Sequence, residues 1–259
     1  MIPIKDENPV SSTPIITIII IAINILVFLT EPLFESGPDA QFQEAKYFVC
    51  QASIPYEVTH GERIADARAR GIEFEDRIDN AFAEIQRISC PKKNVWLSIL
   101  VSMFLHGSIL HIAGNMLFLW VFGNNVEDRL GKGKFIAFYL LSGVAATYAQ
   151  SYVFPSSATP LVGASGAVAG ILGAYLLMFP RARIRSLVIL VIFITMIELP
   201  ASIVIGLWFV MQLVSSVGSV AADTGVAYMA HVGGFLAGMI LLLIFRPKPQ
   251  RAVPQTYPY

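Results

Sequence analysis

Long uncharged runs separated by short charged breaks dominate this chain. Residues 94–126, 135–180, 199–222 and 224–245 contain no Asp, Glu, Lys or Arg. A bilayer core is about 30 Å thick and is crossed by roughly 20 apolar residues as helix. Backbone groups in lipid must be paired within each segment, which selects helices here. The pattern predicts spans at 13–30, 107–122, 135–153, 163–179, 200–218 and 226–245. The expected fold class is an all-α polytopic membrane protein with six transmembrane helices. The opening run, Pro14 to Leu29, follows Lys5, Asp6 and Glu7, and no A-x-A site comes after it. It reads as an uncleaved first span, not as a signal peptide.

Two apolar stretches fit poorly as full spans. Residues 186–198, SLVILVIFITMIE, would reach only about 20 Å as helix. They are expected to form an interfacial or re-entrant piece. A helix over 96–122 would be about 40 Å long, too long for one upright span. His106, Gly107 and Ser108 offer a break, and Ser108 can cap a new helix. Residues 96–106 then form the membrane-edge end of the preceding loop.

Composition and charge add sidedness. Hydrophobic residues make up 55% of the chain and charged residues 14%, against about 25% charged in soluble domains. Arg129, Lys132 and Lys134 lie in loop 123–134, three arginines in 181–185, and Arg246, Lys248 and Arg251 in the tail. Loops 154–162 and 219–225 carry only Asp223. Positive charge near span ends marks the cytoplasmic side. Six spans put every basic loop there, with the 1–12 segment and the 246–259 tail. Segment 186–198 lies on the same side. Residues 31–106 become a large extracytoplasmic loop, and 219–225 a short outer one. The compact build, without long tails, points to a prokaryotic plasma membrane. The basic residues are topology signals, and no nucleic-acid site is expected.

Residues 31–93 hold 12 acidic and 8 basic residues and both cysteines. The helix-compatible stretch Arg63 to Ile88 suggests a small folded loop domain. Cys50 and Cys90 face an oxidising exterior in this topology, so a disulfide is predicted between them.

Polar side chains inside a membrane are costly and mark function. His111, Asn115, Ser165 and His231 stand out. At about 1.5 Å per residue, Ser165 lies about 24 Å above Arg181 and His231 about 22 Å above Arg246. His111 and Asn115 lie about 24 and 18 Å above Glu127. Four polar groups from three spans thus share one layer. Gly163, Gly166, Gly170 and Gly173 follow one helix face, and Gly234 and Gly238 another. Small-residue faces allow close helix approach, which would bring Ser165 beside His231.

A serine hydroxyl becomes a nucleophile when a base takes its proton, and His231 can be that base. Ser165 opens a helix, where backbone N–H groups are unpaired. His111 and Asn115, spaced i and i+4, share a face and can add side-chain donors for an oxyanion. No carboxylate shares the layer, so the reading is a Ser–His dyad. Asp223 is the only acid that could reach His231 from outside. His106 reads equally as structural or as part of the site.

The motifs HGSILHIAGNMLFLWVFGNNVEDRLG (106–131), GASGAVAG (163–170) and AHVGGFLAG (230–238) resemble those of the rhomboid family of intramembrane serine proteases. The resemblance covers about residues 95–245, with the first span in the usual place. It implies a six-helix rhomboid bundle with Ser165 as nucleophile and His231 as base. It assigns His111 and Asn115 to the oxyanion hole with Ser165. It makes Gly123, Glu127 and Gly131 a structural motif, and it implies no metal and no cofactor. Implied partners are lipid and single-span or polytopic membrane substrates, cut near the outer face. Entry would be lateral, beside the fifth span, under a cap over 219–225. Position 169 is Ala, where some members carry an aromatic residue under the histidine, so what holds His231 stays open. The long outer loop has no role given by the family.

Two other functions compete. A non-catalytic rhomboid-like chaperone or binding protein keeps the fold and loses the serine or histidine; both are present here. A transporter or metal permease could use His106, His111 and Asn115, since imidazole suits transition metals. The sequence shows neither an accompanying carboxylate nor an inverted repeat.

Overall fold

The computed structural model describes residues 1–34, 36–74, 77–190, 193–221, 226–247 and 249. In chain order the elements begin with strand β1 (Ile2–Asp6), helix α1 (Ile15–Phe28) and a 3-10 turn at Pro32–Phe34. Four short helices follow: α2 (Ala40–Gln51), α3 (Pro55–His60), α4 (Ile64–Ala69) and α5 (Arg77–Ser89). Next come α6 (Val95–Ser102), α7 (Ile109–Leu130), α8 (Lys132–Val153) and α9 (Ser165–Met178). Strands β2 (Arg183–Leu190) and β3 (Phe193–Pro200) lead to α10 (Ala201–Ala221) and α11 (Tyr228–Phe245). Two of the described helices, α7 and α11, are long and apolar enough to cross a membrane. Helix α1, helix α9 and the Ala201–Ser216 part of α10 are apolar but shorter.

The break between α6 and α7 falls at 103–108. Ser108 caps α7, its hydroxyl accepting from the His111 N–H at 3.1 Å. Asn94 caps α6 in the same way through the Leu97 N–H at 3.0 Å.

The all-α expectation is corrected by a three-stranded antiparallel sheet in the order β1-β2-β3. Within 186–198 the described residues belong to β2 and β3, which pair antiparallel, with Ile184 opposite Leu199 and Val188 opposite Thr195. The physical reason is local and tertiary together. The run is rich in β-branched residues, and β1 pairs with β2, Asp6 lying opposite Ile184. Buried Asp6 fastens the sheet to the helices. It accepts from Asn125 Nδ2 of α7 at 2.6 Å and from the Tyr175 hydroxyl of α9 at 2.8 Å. Burial pushes the Asp6 carboxyl up, against the pull of these bonds.

A second difference lies at the end of α7. Residues 123–130 continue the helix, and only Gly131, at φ +78°, separates it from α8. Glu127 is tolerated in this buried turn because it caps another helix. Its Oε1 accepts from the Ile16 N–H at 3.0 Å, and its Oε2 from the Thr17 N–H and hydroxyl at 2.8 Å each. An acid at the first turn of α1 meets unpaired donors and a favourable dipole.

Helices α2 to α5 form a subdomain around Ile54, Tyr56, Ile64, Ala67, Phe74 and Ala83. A disulfide joins Cys50 of α2 to Cys90, which follows α5. Inside, Lys93 Nζ lies 2.7 Å from Glu57 Oε2, both side chains inaccessible to solvent. Gln86 Nε2 donates to Glu57 Oε1 at 2.6 Å. Burial lowers the Lys93 ammonium, and Glu57 opposes that shift.

The main core gathers α7, α8, α9 and α11 around Phe122, Phe135, Phe138, Tyr139, Ile171 and Tyr175. Helices α9 and α11 cross at backbone distance. A Cβ on Gly234 would collide with the Gly166 carbonyl, and one on Gly238 with that of Gly170. Only glycine permits this crossing.

Candidate active site

Ser165 is the first residue of α9, and His231 lies in the first turn of α11. The tight crossing of these helices sets Ser165 Oγ 2.8 Å from His231 Nε2. The chain enters α9 through Gly163, whose φ of +122° is a conformation L side chains rarely adopt. Gly163 also makes room. A Cβ there would stand 2.7 Å from His111 Nε2 and 3.5 Å from Ser165 Oγ. His111 and Ser165 therefore flank the same small volume.

Asn115 lies one turn further along α7 from His111. It is buried, and its Nδ2 has no hydrogen-bond partner among the described residues. A buried unmade donor is costly. The first backbone N–H groups of α9 have no partner within their own helix. A cavity of about 30 Å³ opens beside Ser165, walled by Met103, Ala146, Gly163, Gly166 and Ala230. Its walls admit only small groups.

His106 is fully buried, and its ring meets that of His111 edge-on, with centroids 5.1 Å apart. Its backbone N–H donates to Glu31 Oε1 at 2.9 Å. Burial pushes the His106 imidazole down to about 4 and the Glu31 carboxyl up to about 7. His106 thus stands behind His111. Asp223 lies outside the described residues, as do Lys248 and Arg251. So do residues 222–225 of the expected cap, while 219–221 continue α10. Gly123, Glu127 and Gly131 lie toward the opposite end of α7, at the α1 cap and the α7–α8 turn.

Four contacts at the site escaped the sequence reading. Gln212 of α10 places Oε1 2.8 Å from His231 Nδ1. Gln150 of α8 accepts from the Ala230 N–H at 3.2 Å, tying down the start of α11. Trp208 and Tyr228 set their rings 6.0 and 6.3 Å from that of His231. The signal for Gln212 was available: a lone amide in the uncharged run 199–222. Its partner was not, because nothing in the sequence orients α10 about its axis. Among the described residues, no three His, Cys, Asp or Glu side chains are grouped to hold a metal ion.

A helix-opening serine bonded to a histidine, with the His111 ring across Gly163 from it, is an arrangement suited to acyl transfer. Residues 93–248, more than half of the chain, match the rhomboid domain, and the chain belongs to the rhomboid family. It is 44% identical to the Rhomboid protease GluP of Bacillus subtilis over 81 residues, 31% of this chain and 15% of that protein. It is 31% identical to Rhomboid protein 1, mitochondrial, of Saccharomyces cerevisiae over 154 residues, 56% of this chain and 40% of that protein. It is 32% identical to the human Presenilin-associated rhomboid-like protein, mitochondrial, over 155 residues, 58% and 38% of the two chains. Each match spans less than half of the relative's length.

Proposed function

We propose that the chain is an intramembrane serine endopeptidase that cuts membrane-protein substrates near the outer face of the bilayer. The observation that carries this reading is the 2.8 Å bond between Ser165 Oγ and His231 Nε2. His231 Nε2 takes the hydroxyl proton as Oγ attacks the scissile carbonyl, and later delivers it to the leaving amine. The acyl-enzyme is then hydrolysed by water, activated by the same imidazole. The developing oxyanion is met by the Ser165 N–H, by Asn115 Nδ2 and by His111. The cavity beside Ser165 favours substrates with a small side chain next to the cut.

In this reading α1, α7, α8, α9, α10 and α11 are the six spans. Both described ends and the sheet lie in the cytoplasm of a prokaryotic cell. The subdomain of α2 to α5 faces outward, and its disulfide suits an oxidising compartment.

The test uses liposomes holding the purified protein and a single-span substrate with small residues near its outer end. Cleavage by the wild type and none by Ser165→Ala is the expected result. Equal cleavage by both, or wild-type protein that neither cleaves nor reacts with a fluorophosphonate at Ser165, overturns the proposal.

A further inference from the structure

We infer that Gln212 is the positioning residue for His231, completing a Ser165–His231–Gln212 relay whose third member is a neutral amide. The inference rests on the protease reading above and adds the group that holds its base.

The argument begins with the proton on the ring. A neutral imidazole carries one N–H, and the bond made by one nitrogen decides the state of the other. For Nε2 to accept from Ser165, the proton must sit on Nδ1. An Nδ1–H needs an acceptor, and Gln212 Oε1 lies 2.8 Å away. Both ring nitrogens are then satisfied in the one tautomer that can act as base. The opposite tautomer would leave Nδ1 an acceptor facing a carbonyl oxygen, and Nε2 with no lone pair for the hydroxyl.

The surroundings leave this task to α10. One turn after Ser165, position 169 of α9 is a fully buried alanine, with no ring to stack and no polar atom to bond. Trp208 stands one turn before Gln212 on the same helix face and borders the imidazole. One helix thus supplies both the wall and the acceptor. An amide in a helix without charged residues is costly in lipid unless bonded, and among the described residues the amide of Gln212 bonds to His231.

A neutral acceptor also has a chemical meaning. It fixes the tautomer and ring angle without placing a second charge in a low-dielectric layer, where a lone carboxylate would carry a heavy desolvation cost. The bond joins α10 to α11, so the base is held only while α10 is docked.

The test compares Gln212→Leu, which keeps bulk and removes the acceptor, with Gln212→Glu, which keeps an acceptor oxygen. Substrate turnover and the rate of fluorophosphonate labelling at Ser165 are measured in liposomes. For Gln212→Leu, kcat and labelling rate should fall roughly 10- to 100-fold, with KM little changed. Gln212→Glu, which restores an acceptor but adds the buried carboxylate, should recover only part of the labelling rate lost in Gln212→Leu. Wild-type kinetics in Gln212→Leu, or a change in KM alone, overturns the role of Gln212 and leaves the protease reading intact. Wild-type protein that is never labelled overturns both. A measurement without substitution at Gln212 guards against misfolding. In 15N spectra at neutral pH, with His231→Ala protein to assign the signals, His231 should carry its proton on Nδ1. A proton on Nε2 overturns the inference.

Discussion

The carboxylate of Glu127, near the end of α7, grips Thr17 through both its backbone N–H and its hydroxyl, each at 2.8 Å. The other oxygen takes the Ile16 N–H. One acid thus satisfies three donors at the start of α1 and couples two helices separated by more than 100 residues. Removing it leaves buried donors unpaired. Glu127→Ala should lower stability by about 2–3 kcal/mol, read as a lower melting temperature of the detergent-purified protein. A melting curve equal to wild type would refute the cap.

The α9–α11 crossing should be equally unforgiving. A Cβ on Gly238 would collide with the backbone of Gly170, and backbone cannot step aside as a side chain can. Gly238→Val is expected to cost about 3 kcal/mol or more and to abolish cleavage by parting the two helices. Ser165→Ala, by contrast, should melt close to the wild type. Wild-type melting and activity in Gly238→Val would show that the helices can separate harmlessly.

If Ser165 and His231 act as one unit, their losses should not add. The Ser165→Ala, His231→Ala double variant should be little slower than either single variant. Single-turnover cleavage in liposomes reads this directly. A double loss equal to the product of the single ones would assign the two residues separate roles.

Glu31 predicts a pH signature. Its carboxyl is raised to about 7 by burial, so between its ordinary value near 4.5 and pH 7 the folded state holds a proton that the unfolded chain has lost. Stability from this group therefore falls as pH rises through that window. His106, lowered to about 4, acts in the opposite sense. It contributes stability that grows from about pH 4 to 6.5, and the two partly cancel in the wild type. Glu31→Gln removes only the first contribution. Its melting temperature relative to wild type should rise steadily from pH 4.5 to 7. A difference independent of pH would rule out proton uptake at Glu31.

Much of the architecture was legible in one dimension. Runs without charge marked the helices, and Ser108 announced the start of α7 because a cap is a local event. The glycines at 166, 170, 234 and 238 announced a close crossing because their spacing follows helix periodicity. Ser165 and His231 could be singled out together because rise per residue is uniform, so depth can be counted along each helix.

The sheet was not legible. Residues 187–194 are apolar at every position, and the sheet needs β1, from the far end of the chain, to pair with β2. The boundary of α7 was missed for a related reason. Glu127 reads as a loop residue until the first turn of α1 is seen against it. Gln212 shows the same limit at the site: its amide was visible, but its direction was not. The sequence by itself determined the helices, their apolar faces and the residues capable of chemistry, because these follow from hydrophobic period and local hydrogen bonding. Only the tertiary structure decided the sheet, the Glu127 cap and the partner of His231 Nδ1, because each depends on how elements distant in the chain are rotated and stacked against one another.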